Sequence, residues 1–294
     1  MQYNVNRISD KHNFIITGVS YAGKPKCNTM MYITKKVEYL LDNLHDVKEC
    51  LIFLENGMDV PNDIQCANCV VFSNNPQLSY AYYANEIANE ENTSGQLNRC
   101  ENGYYLGQNV TIGKNSYIEP NVVIGSDCII GENVKILTGA VIKNAVIGDN
   151  CLVNENAVIG SNGFTMAGDE AGNKIRIPSL GKVIIRNNVE VGVADNISRG
   201  SAGDTVIEDS VKIDALVHIG HDAHLNANTE ITAGAVIGGF VETGEKAYIG
   251  INSVVRNRKV LGKGAFVGMG AVVTKSVDDG ITVVGNPARE FLKG

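Results

Sequence analysis

The sequence predicts a mainly β protein, a left-handed parallel β-helix of hexapeptide repeats with a small N-terminal α/β domain and a short C-terminal cap. Three observations carry this prediction. First, stepping by six from Ile207 reaches Ile213, Ile219, Leu225, Ile231, Ile237, Thr243, Ile249, Val255, Leu261, Val267 and Val273, so every stop but Thr243 is a branched aliphatic. Second, an apolar or small residue follows many of these four places later, as Val217, Ala223, Thr229 and Ala235 do, with Gly, Asn, Asp and Lys between. Third, the 294 residues are 44% hydrophobic but only 6% aromatic, with no Trp and 32 Gly, which suits a narrow prism lined with Ile, Val and Ala better than a sandwich core. Each hexad supplies one short strand and one corner, and three hexads close a triangular coil. The coils must stack, because none can bury its own aliphatics.

Residues 1–98 lack the hexad and read as the α/β domain. Phe14–Val19, Cys50–Leu54 and Cys69–Phe72 read as short strands. Thr34–Leu44 places Val37, Leu40, Leu41 and Leu44 at helical spacing. A second helix opens at an Asn74 cap with Pro76 just inside, and carries Leu78, Tyr82, Tyr83 and Ile87 on its apolar side. Asn89–Gln96 reads as a linker. Gly18–Lys24 (GVSYAGK) approaches a phosphate-binding loop but has Pro25 where a magnesium-holding Ser or Thr belongs, so a plain glycine-rich loop is expected. Cys66 and Cys69 form a CxxC with no second pair or His pair to complete a zinc set, and read as core or loop thiols.

Residues 99–275 read as the β-helix. The prism begins near Tyr105, and the step of six runs through Ile112, Ile118, Ile124, Ile130, Ile136 and Ile142, then a one-residue deletion resets it to Ile147, Val153 and Ile159. The rhythm stops over residues 160–182, resumes at Ile185, Val191 and Ile197, and resets once more at Ile207. An insertion this long in a compact repeat reads as an extruded functional or interface loop. Allowing for it, about eight coils fit. Residues 276–294 leave the repeat and read as the cap.

A formal net charge of -7 argues against a surface that wraps nucleic acid, while leaving room for a local basic cleft. The odd count of 7 scattered cysteines, with no signal peptide and no apolar run long enough to span a bilayer, points to a reducing cytoplasm.

Residues eighteen apart should lie over one another at about the 4.8 Å strand spacing. The column of His221 continues as Gly239, Asn257 and Lys275, flanked by Asp222, Phe240, Arg258 and Ser276 on one side and Gly220, Gly238, Arg256 and Thr274 on the other. Ile219 and Ala223 point inward, which leaves His221 and Asp222 at an outer position. The expected groove therefore holds an imidazole, then the backbone amides of Gly238 and Gly239 for an oxyanion, then Arg256, Arg258, Lys259 and Lys275 for the phosphates of a long anionic donor. Acyl transfer from a thioester needs those parts: a base, an oxyanion donor and a carrier anchor. His218 and His224 flank His221 at intervals of three, but they occupy equivalent positions on successive faces, so no metal is expected. The plain alternative for His221 is a solvated corner histidine.

GSNGF (Gly160–Phe164), RIPSLG (Arg176–Gly181), ISRGSAGDT (Ile197–Thr205) and VKIDALVHIGHD (Val211–Asp222) resemble, in order and spacing, the N-acyltransferases of lipid A synthesis that act on UDP-3-O-acylglucosamine. Asn74–Ile87 is also similar to the nucleotide-binding N-terminal domain of that family. The resemblance implies His221 as general base, Asp214 as a carboxylate supporting it and the Gly239 amide at the oxyanion. It also implies a homotrimer with clefts between subunits, Phe164 in the substrate site and Tyr32 against the nucleotide base. Lys35, Glu38 and Arg258 stand where the family has an Asn, a Tyr and a second His. The family's C-terminal helices, which engage acyl carrier protein, are expected to be missing, and Gly270–Arg289 is similar to the ending of acetyl-CoA-dependent hexapeptide transferases.

The sequence therefore predicts an N-acyltransferase that moves an acetyl or short acyl group from acyl-CoA to the amine of a nucleotide-linked amino sugar. The alternative is the UDP-3-O-(3-hydroxyacyl)glucosamine N-acyltransferase itself, with acyl carrier protein as donor. The expected sites are His221, Asp214, Asp222 and Gly239 for catalysis, Gly238, Arg256, Asn257, Arg258 and Lys275 for the donor, and Tyr32 and Phe164 for the substrate. Either Asp214 or Asp222 would orient the imidazole. A carbonic-anhydrase-like metalloprotein on the same scaffold would need a later His pair, and no His follows His224. A non-catalytic scaffold would bind neither CoA nor nucleotide.

Overall fold

The computed structural model describes residues 2–91 and 96–291, which fall into two units. The expected linker Asn89–Gln96 lies outside the described residues over 92–95, while its first three residues still belong to a helix.

The first unit takes in residues up to Ser94, together with Phe164–Gly181 and Ser201–Gly203. Strands β1 (Gly18–Val19), β2 (Thr29–Ile33), β3 (Leu51–Glu55) and β4 (Cys69–Ser73) form a parallel sheet in sequence order. The strand expected over Phe14–Val19 is broken: Ile15–Ile16 pairs antiparallel with Tyr3–Asn4, and Gly18–Val19 joins the parallel sheet. Strand β2 escaped the sequence reading. Its run TMMYI is buried at four of five positions, so it lacks the alternation of a half-exposed strand. The helix expected over Thr34–Leu44 is a 3-10 run over Lys35–Leu44, kinked where Val37 leaves helical dihedrals. Helix α1 spans Asn62–Ala67 between β3 and β4, and α2 spans Pro76–Glu91. Asn75 rather than Asn74 caps α2, its side chain accepting the Leu78 amide at 3.0 Å. Tyr80, Ala81, Ala84 and Ile87 form the buried side of α2, whereas Tyr82 is exposed. The GVSYAGK segment begins in β1 and leads as a loop into β2, its Ser20 hydroxyl 2.6 Å from that of Thr29, so that a strand and not a helix comes next.

The second unit is a parallel β-helix. Among the described residues its three faces of two- to four-residue strands carry ten, ten and eight strands, and we call them by the His218, Lys212 and His224 that each displays. In the regular part residues pair eighteen apart, as Ile219 with Ile237 and Ile237 with Val255. The deletion after Ile142 shortens this to seventeen, as in Ile130 with Ile147, and is absorbed at the corner where Asn144 takes a φ of 48°. The aliphatics of the sixfold step fill the core: Ile124, Ile142, Ile213, Ile219, Ile237 and Val255 are all buried. Burying each such side chain is worth about 1.5–3 kcal/mol. Thr243, the exception, is fully buried with its hydroxyl satisfied: it accepts the Asn226 amide at 3.0 Å and lies 2.9 Å from the Thr229 hydroxyl.

Two differences from the sequence reading bear on the site. The segment Phe164–Gly181, read as a loop of the β-helix, packs with the first unit, where Ala167, Ile177 and Leu180 join the core of Tyr3, Met30, Leu51 and Phe53. The reset before Ile207 is a second, four-residue insertion, since Ile197 pairs with Ile219 twenty-two residues on, and its Ser201–Gly203 belongs to the first unit as well. At the other end the coil continues past Lys275, through Leu261 with Val277 and Val267 with Val283, before the chain turns back to pair Val284 with Arg289.

Candidate active site

One corner of the prism collects the irregularities. Ile159, Ile197, Ile219, Ile237, Val255 and Val273 lie in register on the His218 face. The residues that follow them stack at the next corner, and both insertions leave the prism there. Two coils are extended at this corner, the next carries Gly220, His221 and Asp222, and those beyond carry Gly238 to Phe240 and Arg256 to Arg258.

At this corner Asp222 has a φ of 60°, and its amide donates to the hydroxyl of the fully buried Thr205 at 2.8 Å. That turn brings Oδ2 of Asp222 to 2.7 Å from Nδ1 of His221. The Asp222 side chain is 5% exposed and that of His221 20%. A carboxylate accepts, so Nδ1 is the donor of this pair. Two glycines hold the ring between them. A Cβ at Gly163 would stand 2.7 Å from Cδ2 of His221, and one at Gly239 would stand 3.0 Å from Nε2. The Phe240 ring meets the imidazole edge on, 5.4 Å away at 86°, and the Arg258 guanidinium lies 4.1 Å from the centre of that ring.

The two glycine amides differ. Gly238 donates to the Val255 carbonyl at 2.9 Å and so belongs to the strand ladder, which corrects the expectation that its amide is open. Among the described residues the Gly239 amide meets no acceptor, and Gly239 is half-buried beside Nε2. Gly220 keeps the Gly239 nitrogen uncovered, since a Cβ at Gly220 would lie 2.5 Å from it. The site thus places an imidazole and a backbone N–H side by side, and such an N–H donor is what stabilising a tetrahedral oxyanion requires.

Asp214 is elsewhere. It follows Ile213 on the Lys212 face, and its two oxygens accept the Ala215 amide at 2.8 Å and the Ala233 amide at 3.1 Å. Asp222 is the carboxylate on His221. Arg256, Asn257, Arg258 and Lys275 are exposed along the same corner beyond His221. Tyr32 is half-buried in the first unit, its ring 5.2 Å from Tyr80 and its hydroxyl accepting from Gln77 at 3.3 Å. Phe164, in the same unit, is 81% exposed with Arg176 at 5.5 Å from its ring. His224 Nε2 lies 3.1 Å from Glu208, whereas desolvation of its ring, and next the charge of His221, hold His218 below the ordinary imidazole range. Among the described residues no three His, Cys, Asp or Glu side chains come together as a metal site. Nor is any described helix long and apolar enough to cross a membrane. Sequence reasoning missed Gly163 and Thr205 as parts of the site, and gave Gly220 only a flanking place. The signal for Thr205 was a polar residue one coil before Ala223, at an inward position.

Comparison with known proteins agrees with this architecture. Residues 204–239 match the model described as bacterial transferase hexapeptide (six repeats), and residues 102–167 match the GMPPB C-terminal domain. A UDP-3-O-acylglucosamine N-acyltransferase of Caulobacter sp. (strain K31) is 37% identical over 136 residues, 46% of this chain and 40% of the relative. One of the same description from Coxiella burnetii (strain Dugway 5J108-111) is 44% identical over 82 residues, 28% of this chain and 24% of the relative. The matched part of the chain thus spans less than half the length of these relatives. The solved UDP-N-acetylglucosamine acyltransferase from Campylobacter jejuni superposes with a TM-score of 0.59 at 23% identity, over 66% of this chain and 74% of that one. The Arabidopsis enzyme of that description gives 0.58 at 22%, over 65% and 73%. At such identities the structures speak for the fold, a left-handed parallel β-helix. The sequence matches bear out the resemblance to hexapeptide acyltransferases that act on UDP-3-O-acylglucosamine.

Proposed function

We propose that this chain is an N-acyltransferase that transfers an acyl group from a phosphopantetheine thioester to the amine of a UDP-3-O-acylglucosamine-like sugar nucleotide. The observation that carries the proposal is the His221 imidazole, held at Nδ1 by Asp222 and with its Nε2 edge beside Gly239. As the sugar amine attacks the thioester carbonyl, Nε2 takes its proton, and Asp222 offsets the charge of the imidazolium. The carbonyl oxygen becomes an oxyanion that accepts the Gly239 N–H. The tetrahedral adduct then collapses, the C–S bond breaks, and the departing thiolate takes the proton from His221. The products are an amide and a free thiol. A positioned base contributes about 10²–10⁴ to such a rate, and one oxyanion donor about 10²–10³.

The named relatives favour UDP-3-O-acylglucosamine as acceptor over a general nucleotide-linked amino sugar. In the family that the motifs resemble, acyl carrier protein is the donor, and this ranks it above the acyl-CoA suggested by Gly270–Arg289. Gly238, Arg256, Asn257, Arg258 and Lys275 are the proposed contacts of the donor arm, Tyr32 and Phe164 those of the acceptor, and the working form is a homotrimer. The test offers purified protein UDP-3-O-acylglucosamine with acyl carrier protein thioester or acyl-CoA and follows the amide by mass. Product from the carrier thioester supports the reading, and product from CoA alone reverses the donor. No product from either refutes it.

A further inference from the structure

The corner residues of the prism take left-handed backbone dihedrals, and from Asn109 to Asn188 every non-glycine residue in that conformation is Asn or Asp. Those are the side chains that tolerate positive φ best. After Asn188 the rule loosens, at Ala194, Ser210, Leu216 and Lys246 among others, and the positions stacked beyond His221 depart from it as well: after Asp222 at 60° come Phe240 at 58° and Arg258 at 59°. Among the described residues Phe240 is the only aromatic at positive φ. A bulky side chain held there is strained, and strain of this kind persists where the surroundings need it.

What Phe240 does at that cost is visible around it. Its amide donates to the His221 carbonyl at 3.0 Å, its ring packs edge to face against the imidazole, and Arg258 sits on the ring at 4.1 Å. Gly163 and Gly239 offer no side chains to the imidazole, whereas Phe240 sets its ring against it. We propose that Phe240 is a positioning residue: it accepts backbone strain in order to hold the His221 ring on Asp222 and to keep the Arg258 guanidinium stacked one coil further along the corner. Asn, the ordinary occupant of such a corner, would relieve the strain and release the ring.

This inference rests on the acyl-transfer reading for its kinetic consequence, but its structural consequence stands alone. The experiment compares wild type with Phe240→Asn and Phe240→Tyr. Phe240→Asn melts at or above the wild-type temperature, by about 2 °C if one strained dihedral is relieved, and loses the downfield proton signal of the His221 Nδ1–H to solvent exchange. Phe240→Tyr keeps the signal. Where transfer activity is present, kcat falls at least tenfold in Phe240→Asn with donor KM within twofold, and Phe240→Tyr restores it. A lower melting temperature in Phe240→Asn overturns the strain argument, and a retained Nδ1–H signal there overturns the positioning role. Because both of those readouts precede turnover, an inactive wild type would refute the transferase reading without deciding this one.

Discussion

The hydroxyl of Thr205 accepts the backbone amide of Asp222 at 2.8 Å, from the coil preceding the His221 corner and with no exposure to solvent. That bond fixes the left-handed turn of Asp222, and with it the carboxylate that holds the imidazole. Thr205→Val leaves the Asp222 amide without its acceptor while filling the same space, so it should destabilise the fold by about 1–3 kcal/mol and lower kcat. Thr205→Ser should recover most of both. Denaturant unfolding and turnover of the two variants check this.

Gly163 packs against the other side of the ring. Its Cβ-less backbone leaves His221 the only space available, since an added methyl would overlap Cδ2 and Cγ of the ring. Gly163→Ala should therefore push the imidazole from Nε2's position beside Gly239. A displacement on the order of 1 Å costs about a hundredfold in rate. Turnover should fall by that order with the melting temperature nearly unchanged.

Asp195 carries a pH dependence. It is 1% exposed, at a corner of the prism, and accepts the Gly192 amide at 2.7 Å and the Val217 amide at 2.8 Å. Burial pushes its carboxyl up to about 7 against the partial relief of those two amides, with Asp214 adding a smaller upward push. The folded state thus holds a proton that the unfolded chain has lost above the ordinary carboxylate range. Stability should fall as pH rises from about 4 through that raised value, because the native state binds more protons there. Asp195→Asn should flatten the dependence, which urea unfolding across pH measures. An unchanged slope would remove Asp195 as its source.

Much of the prism was legible because its code is periodic. A residue every six that must be aliphatic leaves a mark no other fold leaves, and Ile213, Ile219, Ile237 and Val255 are buried where the step places them. The column arithmetic likewise aligned His221 with Gly239 and Asp222 with Phe240 and Arg258. It failed where a dihedral decides. Spacing cannot show that the turn at Asp222 swings its carboxylate onto the neighbouring imidazole while Asp214 spends both oxygens on backbone amides. Nor does it tell the laddered amide of Gly238 from that of Gly239, one residue further round the corner. Gly163 was invisible for another reason: it is far from His221 in sequence, and only the closure of the coil brings them together. In the first unit, strand β2 lacked the alternation that marks a half-exposed strand because both of its faces are covered.

The most direct test of the account is the turnover of His221→Ala on UDP-3-O-acylglucosamine with saturating carrier-bound acyl thioester, measured beside donor affinity and oligomeric state. If Nε2 of His221 is the base, kcat falls by about 10²–10⁴ while donor affinity and assembly stay at wild-type values. Wild-type turnover in that variant would contradict the central claim.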